Sequence, residues 1–401
     1  GPSFLPYAGH GATIWFYRLF PITLTWEFFM KKLGALMLAA CLSLGVAPQA
    51  NAAKYELKIQ TALASSSVFF KTMERMKSNI EALSNGEISV ELLAAGAIVK
   101  PNEILDAVSE DLINGGMWWT HYASGKNPAG TLFSAPCGGL GYGLDQMSVL
   151  SWGWEGDGAK LLNEYYQVAC KANVVAWMAQ PHGPEAFGWF HKRYNSLIEL
   201  NKLTFRAPPG VPAEIFKEMG MPVVSMAGPD IIPAAQRGAI DSAEWINPAE
   251  DISMGLDQIW KHLYLQGLHQ GISIGDIFVN KTWFDKLPKN LQAVINISMK
   301  TCCFDQLMAN VKTNSEALQE LVTKRGVVIE ETPADYYPAF MKAARTIFEK
   351  YAQKDAFFKK VYENEIAWAK MTVPFQMRAN GLYYNLAKAA MADGLVSDYK
   401  K

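Results

Sequence analysis

The sequence predicts an α/β fold in two lobes that exchange segments. Three observations carry this. The chain opens in β-α-β-α order, which favours a parallel sheet with helical crossovers. Residues 272–280 form a long apolar run, read as a central strand returning to the first lobe. The 401 residues are half hydrophobic and suit two lobes, yet no linker, repeat or low-complexity stretch divides them. The chain is therefore expected to cross between lobes more than once. Residues 53–180 and 272–312 are assigned to lobe one. Residues 181–271 and 313–345 are assigned to lobe two, and 346–401 to C-terminal helices.

The N-terminus is set apart from the fold. Residues 1–29 precede Met30 and read as an upstream segment. Met30-Lys31-Lys32, the apolar run Leu33 to Val46 and the A-x-A site Ala50-Asn51-Ala52 read as a signal peptide over 30–52. The apolar run falls short of the ~20 residues a membrane span needs. Leu38-Ala39-Ala40-Cys41 resembles a lipobox, but apolar residues continue past Cys41, so cleavage near Ala52 is expected. Cys137, Cys170, Cys302 and Cys303 remain, with no C-x-x-C pair for zinc or redox chemistry. An oxidising compartment permits a bridge, whose pairing the spacing leaves open. A net charge of −1 without a basic stripe argues against a nucleic-acid partner.

Within the fold, Tyr55, Leu57 and Ile59 alternate with polar residues as a half-buried strand does. Val68 to Leu83 has helical periodicity, Asn85-Gly86 is a turn, Ile88 to Leu93 is a second strand and Pro101 to Ile113 a helix. Gly115-Gly116-Met117-Trp118-Trp119 then leads into a polar loop with His121 and Tyr122. Ligands of open α/β sheets sit beyond the carboxyl ends of strands. Trp118, Trp119 and Tyr122 either wall a cleft there or pack under the loop. Gly138-Gly139-Leu140-Gly141-Tyr142-Gly143 lacks the Lys-Ser/Thr ending of a phosphate cradle. Leu161 to Lys171 reads as helix and Val174 to Met178 as a buried strand.

Ser196 to Leu203 is a short helix with a Ser cap and Glu199 at the capping-box position. Thr204 to Arg206 is a strand that ends on Arg206, a residue type that can hold a carboxylate through two parallel hydrogen bonds. Pro233 to Pro248 reads as the end of a helix, a stop at Gly238, a strand over 240–246 and a polar-aromatic tip with Glu244 and Trp245. That acid either meets solvent or lines an apolar cleft. Asp251 to Leu265 reads as helix, Trp283 to Thr313 as helix broken at Pro288, and 326–330 as a strand. Residues from Ala334 onward read as helix with a break near Pro374. Tyr337, Phe340, Ala344, Ile347, Phe348 and Tyr351 recur at helical spacing, a stripe that is more often an intramolecular core than a dimer seam.

These residues resemble a family. The run Ser196-Leu197, Leu200, Leu203, Phe205-Arg206 and Pro209-Gly210 is similar to the arginine signature of TRAP (tripartite ATP-independent periplasmic) transporter substrate-binding proteins of the DctP type. Ala94 to Ala97, Glu103 to Val108, Gly125 to Pro128 and Gln236 to Trp245 resemble the same family in the same order. The likeness extends over residues 54–394 and looks closest to the branch for 2-oxo acids, lactate and related monocarboxylates, the mannitol/chloroaromatic group. It implies a two-lobed periplasmic binding protein with a long C-terminal helix, often a homodimer through that helix. It also implies a small organic acid ligand, membrane permease subunits as partners, a bound cation (Na+ or Ca2+) and no catalysis. By motif, Arg206 takes the carboxylate. Glu244 and Trp245 take the cation, Trp245 through its backbone oxygen and its ring. Glu185 falls where the branch usually has glutamine, and is expected to join both the ligand and the cation sites. Trp118 and Tyr122 are expected to line the ligand.

Charge favours a divalent ion in that arrangement. With Arg206, Glu185, Glu244 and a monocarboxylate, sodium leaves one negative charge in excess, whereas calcium leaves none. Isolated buried charge is expensive, so the neutral sum is preferred. Calcium also accepts the six to eight oxygen donors such a site begins to supply. Two other readings remain open on the sequence: a secreted hydrolase using Glu185, Glu244 and His182, and an extracytoplasmic sensor that binds the same ligand.

Overall fold

The computed structural model describes residues 53–226 and 228–397. The expected upstream segment, the signal peptide over 30–52 and Cys41 lie outside the described residues. Eleven strands occur among the described residues. First come β1 (Tyr55–Thr61), β2 (Ile88–Leu93), β3 (Gly115–Trp118) and β4 (Val174–Pro181). Next come β5 (Gly188–Phe190), β6 (Phe205–Arg206), β7 (Val223–Val224), β8 (Ser242–Ala243) and β9 (His262–Tyr264). β10 (Ile274–Asn280) and β11 (Val328–Glu330) complete the set.

They form two sheets. The first has the order β2-β1-β3-β10-β4 and the second β11-β9-β5-β8-β6-β7. β1 runs parallel to both β2 and β3, as the opening β-α-β-α order requires. β10 inserts antiparallel between β3 and β4, so the chain returns to the first sheet after building most of the second. All seven residues of β10 are buried, which its apolar run anticipates.

Five helices frame these sheets: α1 (Val68–Leu83), α2 (Pro248–Met254), α3 (Lys289–Lys324), α4 (Tyr336–Lys354) and α5 (Ala356–Ala392). In α1 the Ser67 side chain accepts from the Phe69 amide, while Phe69, Met73, Met76 and Ile80 form one buried face. That face shares a core with Leu57, Ile59, Ile277 and the start of α3 at Leu291, Ile295 and Met299. The far end of α3, at Leu318 and Leu321, joins a separate core with Trp189, Trp260 and Leu263 of the second sheet. In α4, Phe340, Ala344, Ile347 and Phe348 are buried, and Tyr337 and Tyr351 pack against the same core.

Several expectations change. Residues 251–265 are not one helix. α2 ends at Gly255, whose φ of +83° is the left-handed C-cap that glycine adopts without strain. Residues 262–264 then pair with β5 and β11. The strand expected over 240–246 is reduced to Ser242–Ala243. The helix expected to end at Thr313 continues to Lys324. The C-terminal break falls at Asp355, not Pro374. The Asp355 carboxylate accepts from the Phe358 amide at 2.7 Å and starts α5 afresh. Pro374 lies inside α5, on a solvent-washed stretch where the carbonyl it leaves unpaired can be hydrated. All four described cysteines are free and buried. Among the described residues, no helix is long and apolar enough to cross a membrane.

Candidate functional site

Arg206 ends β6, which runs parallel to β8 with Arg206 opposite Ala243. The next residue after β8 is Glu244, so the pairing itself sets the acid beside the arginine. Arg206 is 5% exposed and Glu244 is 0% exposed. Arg206 Nη1 donates to Glu244 Oε1, and also to the Glu244 carbonyl at 3.2 Å. Nε and Nη2 donate to the Met226 carbonyl at 3.2 and 2.8 Å. The Trp245 ring lies 5.7 Å from the guanidinium carbon, a cation–π contact.

The turn that carries Glu244 and Trp245 is held from behind. Asp251 accepts from the Ile246 amide at 3.0 Å and from Trp189 Nε1 at 2.8 Å. Burial pushes its carboxyl up to about 7, against those two hydrogen bonds. Asn247 caps α2, accepting from the Glu250 amide at 3.2 Å, and Pro248 occupies the first turn where no amide is needed.

Glu185 arrives on the segment between β4 and β5 and is 2% exposed. Its backbone is pinned to the loop before β10: Glu185 N–H donates to the Gln270 carbonyl at 3.2 Å, and Gly267 N–H donates to the Glu185 carbonyl at 3.1 Å. A Cβ on Gly267 would lie 2.6 Å from that carbonyl oxygen, so only glycine permits the approach. The same loop brings in His269, 0% exposed, a residue the sequence reading did not single out. Its Nε2 lies 3.6 Å from Glu185 Oε2 and 3.6 Å from Glu244 Oε2.

Glu185, Glu244 and His269 therefore converge, with donor atoms all within 4.8 Å of one another. Glu185 Oε2, Glu244 Oε2 and both ring nitrogens of His269 are buried without a hydrogen-bond partner. Orphaned buried oxygens are costly, and two of them facing one gap fit a cation with oxygen donors. Burial raises Glu185 to about 8, with the Glu244 charge adding and His269 opposing. Burial alone would lower His269, but the Glu185 and Glu244 carboxylates facing it outweigh burial and carry the ring to about 9.

The aromatic candidates separate. Tyr122 is 41% exposed, yet desolvation lifts its phenol to about 12, and the charges of Arg206 and Glu185 both reach it. Tyr122 therefore lies within electrostatic reach of Arg206 and Glu185. Trp118 departs from expectation. It is 1% exposed, its indole donates to Tyr166 Oη at 2.9 Å, and Tyr166 donates to Asp276 at 2.8 Å. It lies in the hydrophobic core, and Tyr122 packs edge-on against it at 5.9 Å. A β3 side chain facing inward explains this, since alternate strand residues point to opposite faces. Trp119 points the other way, toward His182. Burial lowers His182 to about 3, with His121 adding to the effect.

Residues 59–355 match the family model described as bacterial extracellular solute-binding protein, family 7. A monocarboxylate 2-oxoacid-binding periplasmic protein of Nostoc sp. is 29% identical over 311 residues, 78% of this chain and 83% of that one. Among solved structures, a TRAP transporter solute-binding protein of Bordetella bronchiseptica superposes with a TM-score of 0.77 at 23% identity. The match covers 86% of this chain and 100% of that one, a mixed-occupancy dimer with copurified calcium and picolinate. A TRAP solute-binding protein of Pseudoalteromonas atlantica, with bound sodium and pyruvate, matches with a TM-score of 0.73 at 22% identity. That match covers 82% of this chain and 98% of that one.

Proposed function

The chain belongs to the bacterial extracellular solute-binding protein family 7, and from that membership we propose that it captures a small 2-oxo or 2-hydroxy monocarboxylate together with a cation and delivers both to a membrane permease. The observation that carries this reading is the pair of orphaned carboxylate oxygens, on Glu185 and Glu244, beside the buried guanidinium of Arg206. Three roles follow from chemistry. Arg206 is the donor for the ligand carboxylate, because its planar fork matches two oxygens at once. Glu185 and Glu244 are oxygen donors for sodium or calcium, with the Trp245 carbonyl as a further one. Tyr122 and the Trp245 ring form the wall against the apolar end of the ligand.

Glu244 holds one nitrogen of the Arg206 fork, Nη1, while Nε and Nη2 donate to the Met226 carbonyl. A cation that draws Glu244 toward it frees Nη1 for a ligand carboxylate, so ion and acid bind in support of one another. The relatives fit the same classes: one is a 2-oxoacid-binding protein, and two solved structures hold calcium with picolinate or sodium with pyruvate. The protein performs no chemistry in this reading and works in the periplasm after removal of residues 30–52. From Met371 onward α5 exposes Met371, Phe375, Met377, Tyr383 and Tyr384, a surface suited to a homodimer.

A thermal-shift screen tests the proposal. Pyruvate, lactate and picolinate are each added to dialysed protein, with and without sodium or calcium. A ligand that binds only the native state raises the melting temperature, by about 2.7 kcal/mol of stabilisation at a hundredfold excess over Kd. A rise that needs both acid and cation is expected. No rise with any acid, in any ion, refutes the reading.

A further inference from the structure

The inference rests on the reading that Glu185 offers one oxygen to a cation, and it explains why that position holds an acid. The Trp119 indole N–H, which can only donate, lies 2.8 Å from His182 Nε2. Nε2 must therefore be the lone-pair nitrogen, and the ring proton sits on Nδ1. The arrangement is rigid. Trp119 is 4% exposed and His182 is 2% exposed. The rings of Phe69 and Trp119 meet the imidazole edge-on at 5.3 and 5.4 Å. The His182 backbone is tied to the Ser273 carbonyl at 2.8 Å. His182 Nδ1 lies 3.4 Å from Glu185 Oε1, its nearest carboxylate oxygen, and is buried without a hydrogen-bond partner.

Glu185 is thus faced from two sides. Oε1 looks at the Nδ1–H of His182, and Oε2 looks into the gap shared with His269 and Glu244. A carboxylate serves both, because each of its oxygens accepts. An amide cannot. With its oxygen on His182, it turns its NH2 group toward the cation. With its oxygen on the cation, it sets NH2 against N–H, donor against donor, in a dry site. We propose that Trp119 fixes the tautomer of His182 and so makes a carboxylate obligatory at position 185. Trp119 and His182 are positioning residues: they act on the ion through Glu185.

Calorimetric titration with calcium chloride, repeated with pyruvate present, tests the coupling. Glu185→Gln should weaken calcium binding by about tenfold or more, in the range of a disturbed ligand set. Adding Trp119→Phe frees the His182 proton to move to Nε2. Nδ1 then accepts from the amide, whose oxygen turns to the ion, so the double variant should bind calcium about tenfold more tightly than Glu185→Gln alone. Additive losses would overturn the proposal. Melting temperatures of all variants report folding. Nitrogen NMR of wild-type protein with labelled histidine needs no variant: a proton on Nε2 of His182 removes the lock. If the proton is on Nδ1 but wild-type protein binds neither calcium nor sodium, the cation reading has failed and takes the demand for a carboxylate with it.

Discussion

Arg206 is bonded to Glu244, with both side chains withdrawn from water. A buried pair is costly to break from one side, because the remaining charge is left uncompensated. Arg206→Ala is therefore predicted to abolish binding of every carboxylate and to cost about 3 kcal/mol of stability. Arg206→Lys should retain most of that stability but lose affinity, since an ammonium lacks the planar fork. Denaturant unfolding and calorimetry separate the two effects. Unchanged affinity in Arg206→Ala would exclude the arginine from the ligand site.

Glu244→Gln removes the counter-charge of Arg206 and one cation donor together. The predicted result is a receptor that no longer distinguishes buffer with calcium from buffer without it. Pyruvate titrations in the two buffers should then give the same affinity to within about threefold. A tenfold or larger calcium effect in the variant means that the ion sits elsewhere.

Glu250 of α2 reaches the N-terminus of α1. Its Oε1 accepts from Ser67 Oγ at 3.1 Å and from the Val68 amide at 3.2 Å. α1 packs on the first sheet, whereas α2 follows β8 of the second, so this contact ties the two sheets together. Carboxylates at helix N-termini are stabilising, typically by about 1 kcal/mol. Glu250→Ala should weaken ligand binding several-fold without touching the ligand and should enlarge the radius of gyration of the unliganded form. Identical scattering curves from variant and wild type would remove the latch.

Glu365 on α5 is 1% exposed, and neither of its oxygens has a hydrogen-bond partner. Burial holds its carboxyl well above the usual range, so the folded protein keeps the proton. The sign follows from linkage. Below about pH 4.5 both folded and unfolded states are protonated and the group is neutral toward stability. As pH rises past that value only the unfolded state ionises, and stability falls until the folded value is reached. Glu365→Gln should raise the melting temperature at pH 7.5 and leave it unchanged at pH 4. Equal shifts at both pH values would point to packing instead.

Much of this was legible in the sequence because the governing patterns are local. α1 and β2 emerge with the bounds their periodicity gives, and Arg206 stands at the end of a strand as read. What escaped depends on distant partners. The apolar spacing of Ile252, Leu256, Ile259 and Leu263 imitates a helix, but Gly255 stops α2 and strand pairing claims the rest. β6, β7 and β8 are two residues long each, too short for alternation to define. His269 belongs to no motif. It enters the site only because its loop is bonded to the backbone around Glu185, so a charge balance drawn from Arg206, Glu185 and Glu244 omitted it. The glycines flanking it, Gly267 and Gly271, were the available hint of a close backbone approach.

The helix α3 has a mechanical consequence. Its 36 residues make a rod of about 54 Å, rooted at one end in the core of α1 and the first sheet and at the other in the core around Trp189 and Trp260. A joint crossed by such a rod behaves as a leaf spring: swinging the lobes apart must flex the helix or tear one root from its core. A pair of glycines at Asn310 and Val311 should soften the spring, broadening the distances between spin labels on the two lobes in pulsed electron resonance. An unaltered distribution would mean that the bending is carried by other crossings of the chain.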